Sequence, residues 1–98
     1  MFARVVTVQI NLDKTDEATS IYRDSVVPAA EQQPGFKGLL LLLCKEEQGK
    51  ALSITLWDSE AAMTASESSG FLNQQLAKFG SLMTARPTTE HFEVAVQA

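Results

Sequence analysis

The chain has 98 residues, of which 45% are hydrophobic, and a formal net charge of −4 with both signs spread along its length. That is material for one domain, residues 1–98, with a small core, and it excludes the basic surface that nucleic acid would require. A lone cysteine, Cys44, cannot close an internal disulfide. With no signal-peptide pattern at Met1-Phe2-Ala3-Arg4-Val5-Val6, this points to a reducing compartment and so to the cytoplasm.

Phe2 to Leu12 alternates, with Val6, Val8, Ile10 and Leu12 on one face and Val5, Thr7, Gln9 and Asn11 on the other, which predicts a first strand. Asp13-Lys14-Thr15-Asp16-Glu17 is turn and helix-start chemistry. Ala18, Ile21, Tyr22, Ser25, Val26 and Ala29 then recur at helical spacing, predicting an amphipathic helix that Pro28 kinks and Pro34-Gly35 ends. The run Leu39-Leu40-Leu41-Leu42-Leu43 has no polar position, so it predicts a strand buried on both faces, with Cys44 a small buried hydrophobe at its end. It is far short of the roughly 20 apolar residues that a membrane span requires.

After the charged turn Lys45-Glu46-Glu47-Gln48-Gly49-Lys50, Ala51 to Trp57 alternates again, with Leu52, Ile54 and Leu56 against Ala51, Ser53, Thr55 and Trp57. Asp58-Ser59-Glu60 caps a helix over Ser59 to Glu67, and Ser68-Ser69-Gly70 interrupts it. A further helical stretch carries Leu72, Gln75, Leu76, Phe79, Leu82 and Met83 on one side. Pro87 closes it, and His91 to Val96 alternates as a fourth strand with Phe92, Val94 and Val96 on its apolar face. The order β-α-β-β-α-β, with a faint repeat of Ile10-Asn11-Leu12-Asp13 at Ile54-Thr55-Leu56-Trp57-Asp58, predicts an α+β ferredoxin-like sandwich. Helices would cover one sheet face and leave the other bare. A bare face holding half of the leucine run is expected to be covered by a second copy of the chain, giving a homodimer through the sheet faces.

No phosphate loop, Cys-x-x-Cys, His-Glu-x-x-His or Gly-x-Ser-x-Gly is present, and one histidine cannot build a multi-histidine metal site. The chemistry therefore falls to the mixed strand faces: Ser53, Thr55 and Trp57 on the third strand, His91 and Glu93 on the fourth, and Thr7 and Gln9 from the first. Such a face is too polar for a dry core and suits the lining of a small-molecule cavity. Each residue also has a plainer role. His91 would face water on an edge strand, Trp57 would anchor the core, and Tyr22 would simply complete the helix stripe, with Arg23 solvated beside it.

Three segments carry a resemblance. Gln33-Pro34-Gly35-Phe36-Lys37-Gly38, Leu52-Ser53-Ile54-Thr55-Leu56-Trp57-Asp58-Ser59-Glu60-Ala61-Ala62 and Glu90-His91-Phe92-Glu93-Val94 resemble the Pro-Gly-Phe, strand-Trp-x-Ser-x-x-Ala and closing-strand passages of the antibiotic biosynthesis monooxygenase-like family. The resemblance implies a dimeric α/β barrel with a pocket in each protomer between sheet and helices. It also implies a cofactor-independent monooxygenase-like activity on a small aromatic or quinol-like substrate, or else a non-catalytic ligand-binding or stress-response role on the same barrel. The haem-degrading branch of that family uses an Asn on strand one, a Trp ending strand three and a His about ten residues on. Only Trp57 matches, since Val6 and Thr7 stand on strand one and Glu67 follows the tryptophan at the histidine's distance. The candidate catalytic residues are thus His91, as a base near neutral pH, and Trp57, as a stacking surface. Ser53, Thr55, Tyr22 and Phe36 are the candidate substrate contacts. No metal, organic cofactor, nucleic acid or membrane is expected as a partner.

Overall fold

A computed structural model describes residues 1–98. Strands β1 (Phe2–Gln9), β2 (Phe36–Leu43), β3 (Lys50–Trp57) and β4 (Thr88–Glu93) form one antiparallel sheet in the order β2-β3-β1-β4. A 3-10 turn (Leu12–Lys14) leads into α1 (Thr15–Ile21), which continues through a π-helical turn (Tyr22–Val26) into α2 (Val27–Glu31); α3 (Glu60–Ser68) and α4 (Phe71–Ala77) follow β3. This is the expected β-α-β-β-α-β arrangement.

The kink expected at Pro28 takes a definite form. Proline has no N–H to return to the carbonyl four residues back, and its ring crowds that carbonyl. The helix widens by one residue ahead of it, so that the Val27 N–H bonds the Tyr22 carbonyl five positions earlier, and Pro28 then sits in the first turn of α2. At α3 the Ser59 Oγ accepts from the Ala62 N–H at 3.1 Å, the N-cap bond that the sequence predicts. Gly35 holds φ +79°, and its carbonyl accepts from the Asp58 N–H at 2.9 Å, tying the turn before β2 to the end of β3.

Register decides which side chains meet. Arg4 stands opposite Thr55 and His91, Val6 opposite Ser53 and Thr89, and Phe2 opposite Trp57 and Glu93. Directly opposed residues point to the same face, so Arg4, Val6 and Val8 share the helix-covered side with Ala51, Ser53, Thr55, Trp57 and His91. Thr7 and Gln9 point to the other side, contrary to expectation. At one end of the covered layer Ile10, Ala18 and Leu82 pack with Val8, Ile21, Phe79 and Met83.

Three further expectations are corrected. Strand β4 runs over Thr88–Glu93 rather than His91 to Val96 because its only partner is β1, whose pairing ends at Phe2↔Glu93 and one last bond from the Val94 N–H to the Met1 carbonyl. The leucine strand is not buried on both faces within the chain. It lies at the sheet edge, with Leu40 54%, Leu42 42% and Leu43 50% exposed. Cys44 is half-buried and its Sγ accepts from the Glu47 N–H at 3.4 Å, so it belongs to the turn rather than the core.

Candidate functional site

Between the covered sheet face and the helices lies a cavity. Its volume is about 80 Å³, and it opens to solvent on one side. Fifteen of its 21 lining residues are hydrophobic. The sheet supplies Val6, Val8, Ala51, Leu41 and Leu43 as floor, the α1–α2 helix supplies Ala18, Tyr22, Val26 and Ala30, and the α4 region supplies Phe71, Leu72, Leu76, Phe79 and Met83. The small residues on β3 leave the room. Where an apolar core strand would carry large side chains, Ala51, Ser53 and Thr55 stand under the helices instead.

The polar members of the lining have defined partners. The Tyr22 hydroxyl and the Ser53 Oγ are 2.7 Å apart, a bond from the π-helical turn to the floor. Burial, the largest influence, raises the Tyr22 phenol above its ordinary range, while the Ser53 bond and the charge of Arg4 pull it down in part. Thr55 Oγ1 accepts from the Trp57 indole N–H at 2.9 Å. Gln75 is buried, and its Oε1 accepts from the exposed Lys78 ammonium at 2.7 Å, which also donates to Ser25 Oγ at 2.8 Å.

Arg4 is the residue that sequence reasoning missed. It lines the cavity with its side chain 1% exposed. Its Nη1 donates to Ser66 Oγ at 2.6 Å, to Glu67 Oε2 at 3.2 Å and to the Met63 carbonyl at 3.4 Å, all on α3. Its guanidinium carbon lies 5.2 Å from the Trp57 ring centroid, within cation–π range. Its Nε is buried and has no hydrogen-bond partner in the protein. Burial lowers the Arg4 pKa and Glu67 pushes back. The signal was legible in principle: Arg4 falls in the same i, i+2 series as Val6, Val8 and Ile10, and a charge in an inward series asks for a partner.

Of the six residues proposed from sequence, Ser53, Thr55 and Tyr22 line the cavity together. Trp57 is fully buried behind them, enclosed by Arg4 and by Phe36, whose ring meets it edge-on at 5.7 Å and 75°. Neither Trp57 nor Phe36 belongs to the lining; the indole reaches the cavity through Thr55 and Arg4. His91 lies outside it on the edge strand β4, its side chain 46% exposed, with Nε2 2.8 Å from Glu67 Oε2. Glu67 therefore bridges His91 and Arg4. No group of three or more His, Cys, Asp or Glu residues is placed to hold a metal ion, and no helix is long and apolar enough to cross a membrane.

A four-stranded antiparallel sheet with helices on one face and an apolar cavity between the layers defines a ferredoxin-like α+β domain. The model of the antibiotic biosynthesis monooxygenase family matches residues 1–98, and the chain belongs to that family. Solved structures agree on the fold. A Caulobacter crescentus protein described as an antibiotic biosynthesis monooxygenase superposes with a TM-score of 0.80 at 20% identity, covering 97% of this chain and 90% of its own. SnoaB, a cofactor-independent oxygenase from Streptomyces nogalater, gives 0.79 at 16% identity over 98% and 94%. The haem degrader MhuD from Mycobacterium tuberculosis, with two haems in its active site, gives 0.78 at 18% over 100% and 99%. No protein with a curated description matches the chain. The cavity lining offers no imidazole or thiolate for a haem iron; of the side chains that can ligate one it holds Tyr22, whose hydroxyl is bonded to Ser53, and Met83.

Proposed function

We propose that the protein is a cofactor-independent oxygenase acting on a small aromatic or quinol-like substrate, and that it works as a homodimer. The observation that carries this reading is the apolar cavity, floored by small residues, with the bonded Tyr22–Ser53 hydroxyl pair in its wall. A flat ring suits such a space, and a ring hydroxyl can exchange hydrogen bonds with that pair. Trp57 acts as a positioning residue, since it holds Thr55 and Arg4 in place. The reaction needs no external electron source. In an anthrone, a ring CH₂ becomes a carbonyl, one oxygen atom of O₂ enters the product and the other leaves as water. The two hydrogens and the electrons come from the substrate itself.

The open sheet face supports the dimer. Val5, Leu40, Leu42, Leu52, Ile54, Leu56 and Phe92 share it, and Leu40, Leu42 and Phe92 are each more than 40% exposed. A second copy offering the same surface would cover it.

Oxygen uptake with an anthrone and hydroquinone panel tests the reading. Turnover is expected in the native protein and a large loss in Ser53→Ala and Trp57→Phe. A folded, dimeric protein that consumes no oxygen with any member of the panel would overturn it. One observation favours a second reading, that of a non-catalytic ligand-binding barrel. Arg4 and Tyr22 are the only titratable groups lining the cavity, and neither is a proton acceptor near neutral pH. That reading predicts a ligand-dependent rise in melting temperature without chemical change.

A further inference from the structure

We propose that Gln75 reads a carbonyl oxygen on the ring compound that the cavity takes, and so sets the ligand class as a ring ketone or quinone. The inference rests on the cavity being the substrate site, and deepens that reading by naming the acceptor the site recognises. Phe71 and Gln75 of α4 and Phe79 just beyond it recur at four-residue steps, and all three line the cavity. Gln75 is the polar member of that apolar series and is only 8% exposed. A leucine would complete the stripe at less cost in desolvation.

Chemistry fixes which way the carboxamide points. An ammonium has only donors, so the atom that Lys78 Nζ reaches at 2.7 Å is the amide oxygen. The same Nζ donates to Ser25 Oγ at 2.8 Å, which holds the lysine against the π-helical turn of the facing helix. The Nε2 end points away from that bond, and no protein atom accepts from it. Unlike the Arg4 Nε, it is not closed off from water, and the space that Gln75 borders is the cavity. The Tyr22–Ser53 pair presents lone pairs as well as a proton, which suits a ligand hydroxyl. Gln75 Nε2 presents protons alone, which suits an oxygen that carries none of its own. With 15 of the 21 lining residues hydrophobic, a neutral carbonyl is the acceptor that costs least to desolvate there.

The test uses the full chain and two ring compounds of one size, 1-indanone and indane, which differ in the carbonyl alone. Calorimetry gives a dissociation constant for each, and the quantity read is the ratio of the two. Gln75→Leu should shift that ratio about five-fold against the ketone, the effect of one neutral hydrogen bond. The leucine completes the apolar stripe and leaves Lys78 on Ser25, so this variant is expected to fold as the native chain does. Gln75→Glu keeps the side-chain length and an oxygen for Lys78 but has no N–H donor, and should shift the ratio the same way by at least as much. A packing role alone would weaken both ligands together and leave the ratio unchanged. Lys78→Met frees the amide to turn over and should cost the ketone less than Gln75→Leu does; a larger loss would place the recognition on Lys78 and overturn the assignment. An unchanged ratio in Gln75→Leu and Gln75→Glu, or no binding of either compound by the native chain, also overturns it. A protein that takes up oxygen with an anthrone but shows no change of ratio in these variants loses this inference alone. The expected shift in a protein that takes up none keeps the inference and loses the oxygenase reading.

Discussion

Tyr22 is the only tyrosine in the chain, so its ionisation can be read directly from phenolate absorbance. Its phenol is buried, and burial raises its folded-state pKa above the ordinary value near 10. The native protein should therefore titrate at a higher pH than the same protein in urea. A folded-state pKa above the unfolded one means that the contribution of Tyr22 to stability is fully present below about pH 10. It declines as pH rises from there through the folded value, at up to about 1.4 kcal/mol per pH unit. Tyr22→Phe removes this dependence, so subtracting its urea-unfolding profile from that of the native protein isolates the effect from the lysines and Cys44. Below pH 10 the variant also loses the 2.7 Å bond to Ser53, a net cost of about 1 kcal/mol. The difference between the two proteins should shrink and then reverse in strongly alkaline solution. Ser53→Ala deletes a bond that lowers the pKa and should move the native titration further upward. A native titration near 10, matching that in urea, would refute the reasoning, because it would mean that water reaches the hydroxyl freely.

Gly35→Ala should be among the most damaging small substitutions. A Cβ there would stand 2.5 Å from the Ala62 Cβ and 2.6 Å from Asp58 Oδ1, at φ +79°. Left-handed strain and overpacking together suggest about 2–4 kcal/mol, visible as a lower urea midpoint, and a loss under 0.5 kcal/mol would contradict the crowding argument. Leu42→Glu places a charge on the open sheet face opposite Leu52; burying it unpaired costs about 3–5 kcal/mol. Light scattering at micromolar concentration should then report a dimer for the native chain and a monomer for the variant, and a variant that stays dimeric refutes that interface. Ser59→Ala removes the N-cap bond of α3 and should cost about 1 kcal/mol without altering oligomeric state.

Periodicity carried most of the fold. The alternations at β1 and β3, the cap at Ser59, the helix break at Ser68-Ser69-Gly70 and the Pro-Gly stop before β2 are local chemistry, and each stands where its residues place it. What the residues alone do not express is partnership. The register of β1 on β3 puts Arg4 and Val6, rather than Thr7 and Gln9, beside Ser53 and Thr55, and a shift by one residue would have reversed this. The end of β4 depends on where β1 stops, and the exposure of the leucine run depends on β2 lying at the sheet edge. His91 shares a face with Ser53 and Thr55, as expected, but two strands away from β3, where α3 offers it Glu67 instead of the cavity. Trp57 illustrates a different limit. Its size and indole N–H mark it as important, but whether a large aromatic fronts a cavity or stands behind its wall is settled by neighbours such as Phe36 and Arg4.

The widened turn at Tyr22–Val26 and Pro28 constrain each other's history. Deleting one residue from Arg23-Asp24-Ser25 would restore a regular α-helix and leave Tyr22 and Ala30 on their present sides, but it would bring the Pro28 ring against a carbonyl with no room for it. Replacing Pro28 alone would leave an extra residue with nothing to excuse it. Neither change is cheap by itself, and both together are. A lineage that alters this stretch should therefore change the helix length and the proline as a pair, and an engineer who shortens the helix above the cavity should do the same.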